Sequence, residues 1–511
     1  MNESHKTPTH KRELFGHPVG LYVLFFTEMW ERFSYYGMRA LLTLYMTAET
    51  LKDDPQSGLG WTVTEALALY GWYTMLVYVM SIPGGFLADR YLGQKKAVTI
   101  GAILLSIGHG VLALEPLWAY YTGLGFVILG VGMLKPNIST MVGGLYAQND
   151  IRRDKGFSIF YVGINLGSFL ASLTVGLVAA AYGWHYGFGL AGIGMLAGLV
   201  VYLYGQRYLV HVGNAPTAEE KSGDISLGTL FAQLFRSPLQ LGIVMVMLAY
   251  AIYAGFTYES DSWGYGALFI FLALITGLMM MIYKNLNTKV EQDRFVVLLL
   301  SLCMVIVFWG SFEQMGGLMN LYAQYKTDRS LLGWEVPAAW FQSANPGFII
   351  LFAVAVAGFW ARRKLKGKEA TSLFKMAVGV VVMGIGFAFM VFASLQYEQQ
   401  GSSAMYWLVL AYLFHTLGEL CLSPVSLSFF TKLAPARYMA LMMGIYWAAT
   451  GLGNKVAGIV GESSVKAGEL KVFGGLFLFA VLFGILVLLL IKPLKRLTHG
   501  AEDNEVDLSK S

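Results

Sequence analysis

Apolar stretches of about twenty to thirty residues recur along nearly the whole chain, separated by short polar loops. As α-helix, about 20 such residues cross about 30 Å of hydrocarbon. The pattern predicts membrane spans near 19–48, 62–88, 97–115, 118–146, 156–181 and 185–208. A polar stretch follows over 211–226, and two further spans are expected near 238–257 and 265–284. The last six fall near 293–323, 338–361, 371–396, 404–432, 438–464 and 472–492. The expected fold class is an all-α polytopic membrane protein with 14 transmembrane helices. Its parts are a polar N-terminal tail (1–18), a six-helix bundle (19–210), a linker with two additional helices (211–290), a second six-helix bundle (291–494) and a C-terminal tail (495–511).

Composition supports this reading and removes its rivals. Of 511 residues, 56% are apolar, 13% are charged and 59 are Gly. Ordinary soluble domains carry about 25% charged residues, so this chain cannot cover a water-facing surface of that size. A soluble enzyme, a disordered chain and a nucleic-acid binder are all excluded. The two cysteines, Cys303 and Cys421, lie inside apolar runs and imply neither a disulfide framework nor a metal site, and no cofactor is called for. The N-terminus does not read as a cleaved signal, because 1–18 are polar and the first apolar run is long and charged. Orientation follows from Lys and Arg. Arg90, Lys95, Lys96, Arg152, Arg153, Lys155, Lys284, Lys289, Arg294 and the run 362–368 all fall in alternate loops on the side of the N-terminus. That side is expected to be cytoplasmic, with both termini inside.

Charge also occurs where it is costly. Glu28, Glu31, Arg32, Arg39, Lys135, Glu313, Glu419 and Lys455 sit within apolar spans. Each costs roughly 2.5–3.5 kcal/mol at a helix centre, so such residues face a cavity or one another. With the two bundles numbered as spans 1–6 and 7–12, all but Lys455 occupy spans 1, 4, 7 and 10. In a fold of nested three-helix repeats these are the equivalent first members, which meet around one central cavity. Such a cavity belongs to a carrier, and no nucleophile–base or metal constellation points to an enzyme. At about 100° per residue, Glu28, Arg32, Tyr35 and Arg39 share one face of span 1, with Glu31 and Tyr36 flanking it. Pro136 and Pro424 follow the charges of spans 4 and 10, and Pro346 lies in span 8. Each frees backbone carbonyls that only a cavity or packed protein tolerates.

Three motifs carry a family resemblance. The first is Glu28-Met29-Trp30-Glu31-Arg32-Phe33-Ser34-Tyr35-Tyr36-Gly37 in span 1. The second is Gly84-Gly85-Phe86-Leu87-Ala88-Asp89-Arg90-Tyr91-Leu92-Gly93, between spans 2 and 3. The third is Phe160-Tyr161-Val162-Gly163-Ile164-Asn165-Leu166-Gly167-Ser168 in span 5. Together the chain resembles the proton-dependent oligopeptide transporter family of the major facilitator superfamily, in its bacterial form with two extra helices. The resemblance implies a secondary active transporter importing di- and tripeptides by proton symport through alternating access, in a bacterial inner membrane and as a monomer. It implies that Arg32 and Lys135 meet the peptide carboxylate, and that Glu419, Asn345 and Asn165 meet its amine. Tyr36, Tyr161, Trp309 and Trp447 would line the pocket, while Glu28, Glu31 and Arg32 couple protons. Arg39 with Glu313, and Lys135 with Glu419, would form gating salt bridges, and Asp89 and Arg90 an inner-loop closure. Animal members have a functional His in span 2; none occurs in 62–88 here, so coupling falls to carboxylates. His415, one turn before Glu419, reads foremost as a packing residue. The alternatives are a same-fold carrier of nitrate or another small anion, and a proton-coupled drug exporter.

Overall fold

The computed structural model describes residues 13–147, 150, 152–215, 246, 262–435 and 438–501. The expected span near 238–257 lies outside the described residues. The helices α1 (Val19–Thr47), α2 (Val63–Val79), α3 (Ser81–Leu87), α4 (Gln94–Leu112), α5 (Leu117–Gly144), α6 (Arg153–Tyr182) and α7 (Trp184–Gly205) build the first half. Then come α8 (Ser262–Lys284), α9 (Lys289–Phe312), α10 (Leu318–Lys326), α11 (Ala344–Leu365), α12 (Ser372–Gln400), α13 (Met405–Leu433), α14 (Met439–Ala467), α15 (Glu469–Leu489) and α16 (Ile491–Leu497). Among the described residues, eleven helical segments are long and apolar enough to cross a membrane. The helices α1 and α14 match them in length and carry the charges Glu28, Glu31, Arg32, Arg39 and Lys455.

Local sequence sets where these helices start, break and stop. Thr62 caps α2 by accepting from the Glu65 amide, while the Glu65 carboxylate accepts from the Thr62 amide. That reciprocal box satisfies two amides a bare helix end would leave open. Gly401 ends α12 in the left-handed conformation, φ +76°, which glycine adopts without Cβ strain. Several expected spans are not continuous α-helix: 338–361 opens as a 3-10 helix over Ala338–Ser343, and two others break further along. The first is the 62–88 span: α2 runs through α3 into a π-helical turn, Ala88–Leu92, so Asp89 and Arg90 sit on a helix end and not in a loop. The loop is reduced to Gly93, whose φ of +76° lets α4 begin at once. The second is the 293–323 span, which tightens into a 3-10 turn at Glu313–Met315 and passes Gly316-Gly317 before α10 resumes. Glu313 therefore stands at a helix break beside the cavity described below.

The chain divides into two compact units. The larger comprises Met1–Pro216, Leu302–Ser428 and Tyr446–Ile491, and holds every candidate site residue. Its core is apolar: Leu21, Leu24, Met38, Leu42, Phe308, Phe387, Tyr412 and Phe473 are almost fully buried. The smaller comprises Thr217–Ser301, Phe429–Ile445 and Lys492–Ser511. Within it, Asp293 accepts from Lys289 and lies 2.8 Å from the His499 ring, while Arg294 donates to the carbonyls of Thr498 and His499.

Candidate functional site

The polar face of α1 is assembled as its helical spacing predicts. The Nε of Arg32 donates to Glu28 Oε1 at 2.8 Å, the i,i+4 partner on the same face. Glu31 Oε2 stands 2.7 Å from the same nitrogen but off the N–H direction, so its hold on Arg32 is ionic. All three side chains are nearly or wholly buried. Glu28 Oε2, both Glu31 oxygens and Arg32 Nη2 have no hydrogen-bond partner among the described protein atoms. Two acids thus share one cation, and both signs retain unspent hydrogen-bonding capacity. A second acid is surplus to charge balance unless it takes up a proton.

Glycines in α6 let α1 come this close. A Cβ on Gly163 would meet the Phe25 ring at 2.8 Å, and one on Gly167 would collide with the Met29 carbonyl. The Gly167 position also faces the Cβ of Arg32 at 3.2 Å. The third motif therefore includes a packing surface for the first.

Among the described residues, Lys135, in α5 beside Pro136, pairs with no acid. Its Nζ lies 3.9 Å from the Tyr78 ring centre and 5.5 Å from that of Trp447. An ammonium over such ring faces is held by their quadrupoles. Glu419 instead accepts from Asn345 Nδ2 at 2.8 Å, and Asn345 also donates to Thr416. The expected Lys135–Glu419 contact is thus open, while the Arg39–Glu313 contact is made, Nη2 to Oε2 at 3.1 Å. The phenol of Tyr70 completes the latter, accepting from Arg39 Nε at 3.0 Å and donating to Glu313 Oε2 at 2.9 Å. Further bonds along the same seam join Thr43 to the Gly316 carbonyl and Asn320 to the Ala40 carbonyl.

Beside Arg39, Glu313 and Glu419 lies a cavity of about 130 Å³. Its walls bring together Tyr36, Tyr161, Asn165, Trp309, Asn345 and Glu419, all expected from sequence, with Arg39 and Glu313 at one edge. Arg32, Lys135 and Trp447 are not on these walls. Sequence reasoning passed over Ser168, Ser172, Gln342 and Ser423. Gln342 was findable, since it precedes Asn345 by three residues and so shares its face. Tyr70 carried no such signal, because its partners come from two other helices. The His415 ring lies 4.5 Å from that of Phe387, and neither of its nitrogens has a hydrogen-bond partner among the described residues. Asp89 Oδ1 accepts from Gln94 Nε2 at 3.4 Å, and Arg90 stands over the Phe86 ring.

Residues 95–476 match the family model described as POT family. The chain belongs to the POT family. Relatives cover it end to end. A peptide transporter of Yersinia enterocolitica, YePEPT, is 37% identical, spanning 99% of this chain and 100% of its own. A di-/tripeptide transporter of Lactococcus lactis is 34% identical over 97% of this chain and 98% of its own. A crystal structure of the peptide transporter POT with sulfate superposes with a TM-score of 0.82 at 36% identity, covering 95% of this chain and 97% of that one. A POT family transporter in complex with 5-aminolevulinic acid does so with a TM-score of 0.78 at 33% identity, covering 94% and 98%. The fold of this POT chain is accordingly the major facilitator fold, in a multi-pass membrane protein of a family of transporters.

Proposed function

We propose that the chain imports di- and tripeptides together with protons by alternating access. The observation that carries the reading is a cavity whose walls bear Glu419, Asn345 and Asn165. Glu419, oriented by Asn345 and accompanied by Asn165, offers a carboxylate and amides to a peptide amine. Among the described residues, Arg32 Nη2 has no hydrogen-bond partner and Lys135 pairs with no acid, and these cations suit the peptide carboxylate. A zwitterion's two ends are common to all small peptides, so the aromatic walls need only tolerate side chains. A relative with 5-aminolevulinic acid bound holds a ligand that likewise bears an amine and a carboxylate.

Coupling follows from competition. With Arg32 held by two acids, a substrate carboxylate arriving at its guanidinium weakens that hold, and Glu28 or Glu31 then binds a proton more readily. Arg39, Glu313 and Tyr70 are the outer closure in this reading, and Lys135 with Glu419 the inner pair that forms when the cavity opens outward. The helices of 19–210 and 291–494 rock about the cavity, with Asp89 and Arg90 in the inward-closed contact and 211–290 as an accessory pair between them. The basic-loop bias places both termini in the cytoplasm of a bacterial inner membrane, and the central cavity lies within one chain, as a functional monomer requires.

The test is uptake of labelled dialanine into proteoliposomes under an imposed inward proton gradient. Accumulation that collapses with a protonophore is the expected result. Dialanine-independent uptake of nitrate would favour an anion carrier, and drug efflux driven by the same gradient an exporter; either would overturn the proposal.

A further inference from the structure

Of the eight intramembrane charges named from sequence, Lys455 alone lies outside spans 1, 4, 7 and 10, and the reading above gives it no task. It lies on α14, 3% exposed, with Nζ 3.7 Å from Glu462 Oε1 two turns further along the same helix. The face of Trp72, from α2, covers it at 4.9 Å from the ring centre. At this point the two helices almost touch. A Cβ on Gly71 would stand 3.0 Å from the Gly458 Cα and 3.4 Å from the Lys455 side chain. Asn454 donates to the Thr74 carbonyl across the same seam, at 3.4 Å.

We infer that Lys455, Glu462 and Trp72 form a second outer closure at the α2–α14 seam, separate from the Arg39–Glu313–Tyr70 cluster. The inference rests on the alternating-access reading and adds positioning residues to it. Its chemistry differs from that of the first closure. Arg39 and Glu313 lie on opposite halves, so opening that closure splits their ion pair. Lys455 and Glu462 lie on one helix, so their ion pair travels intact when the seam opens. The cation–π contact from Trp72 and the Asn454–Thr74 hydrogen bond are made and lost across the seam, and the former is worth most when desolvated. The seam therefore carries a closing force without imposing the barrier of a split ion pair. Glycine at 71 and 458 supplies the approach that brings the indole over the ammonium.

Spin labels on Thr64→Cys and Val465→Cys, at the outer ends of α2 and α14, report the seam by pulsed dipolar distance in nanodiscs. Trp72→Leu removes the π face and keeps bulk; Lys455→Met with Glu462→Gln removes both charges and leaves none stranded. Each is expected to raise the long-distance population by about fivefold or more relative to the parent. Trp72→Phe keeps a π face and is expected to retain the parent distribution within about twofold. Maximal uptake rate falls in the first two variants, and apparent peptide affinity stays within about threefold because the cavity walls are untouched. Unchanged distances in folded Trp72→Leu overturn the inference, and so does a Trp72→Phe distribution that matches Trp72→Leu, since packing alone would then explain the seam. If Trp72→Leu does not fold, the charge-neutral double variant decides on the same distance criterion. The distances are read without transport, so a wild-type chain that fails to carry dialanine would sink the transport reading and leave this test in place.

Discussion

Glu28, Glu31 and Arg32 concentrate the chemistry of the molecule in one helical turn. A buried acid–base pair needs one of each sign, and removing one member strands the other at a cost of several kcal/mol. The second acid is where a proton can be exchanged without breaking the turn. Glu28→Gln and Glu31→Gln, made separately, keep shape and remove titration. Each is expected to abolish gradient-driven dialanine accumulation, while peptide exchange without a gradient survives in at least one. Normal uphill accumulation in both variants, in the same proteoliposomes, would move the proton path to Glu313 or Glu419. Arg32→Lys retains charge and loses the planar fork, so it should weaken peptide binding as well as coupling. The residues of this unit and their face were legible from i,i+4 spacing. That Glu31 also reaches Arg32 Nε was not, because an adjacent residue points elsewhere around an ideal helix.

At the scale of elements, close helix packing and a small clip at the start of α1 hold this turn in place. Gly167 admits no side chain, since its missing Cβ is where the Met29 carbonyl passes. Gly167→Val should displace α6 from α1 and destabilise the protein by roughly 1–3 kcal/mol, read as a lower melting temperature together with weakened peptide binding. A melting temperature equal to wild type would show that the seam yields freely. The start of α1 is tied down by a short hairpin of β1 (Glu13–Leu14) and β2 (His17–Pro18). Arg152 donates to Glu13 and to the Gly16 carbonyl and grips Asp150, while His17 Nδ1 lies 2.8 Å from the Tyr146 hydroxyl. The side-chain and backbone hydrogen bonds from Arg152 hold the Asp150 carboxyl below its ordinary range. A depressed carboxyl contributes above its unfolded pKa and loses that contribution as pH falls through the folded one. The clip should therefore hold at neutral pH and loosen below about pH 4. Amide exchange of 13–18 measured from pH 7 to pH 3, corrected for intrinsic rates, should rise at the acid end, and Asp150→Asn should show the loosened level throughout.

Across the whole molecule, the structure combines a made Arg39–Glu313 contact with an unmade Lys135–Glu419 contact, the pattern expected of a carrier closed on one side. Single reversals at Arg39 or Glu313 bury like charges together and should stop transport. The Arg39→Glu, Glu313→Arg double variant restores opposite signs and is expected to recover part of the uptake rate, limited by the fixed position of Tyr70 between them. A well-folded double variant as inactive as either single one would rule out the closure. Tyr70→Phe deletes both bridging bonds and should lower the uptake rate several-fold with little change in peptide affinity, measurable as a split between maximal rate and half-saturation.

The sequence by itself determined the rough placement of the described spans, the family, and which charges lie buried within the spans. Those features follow from local rules, since hydrocarbon thickness sets helix length and a charge in lipid must turn inward. Tertiary structure alone decided which charges touch. Lys135 rests on Tyr78 and Trp447 while Glu419 turns to Asn345, a choice made by neighbours from other helices. It also decided that Asp89 and Arg90 extend a helix, that Glu313 stands at a 3-10 break, and that Tyr70 and Trp72 reach across to the second half. No periodicity encodes such contacts, because they depend on how helices distant in sequence pack against one another.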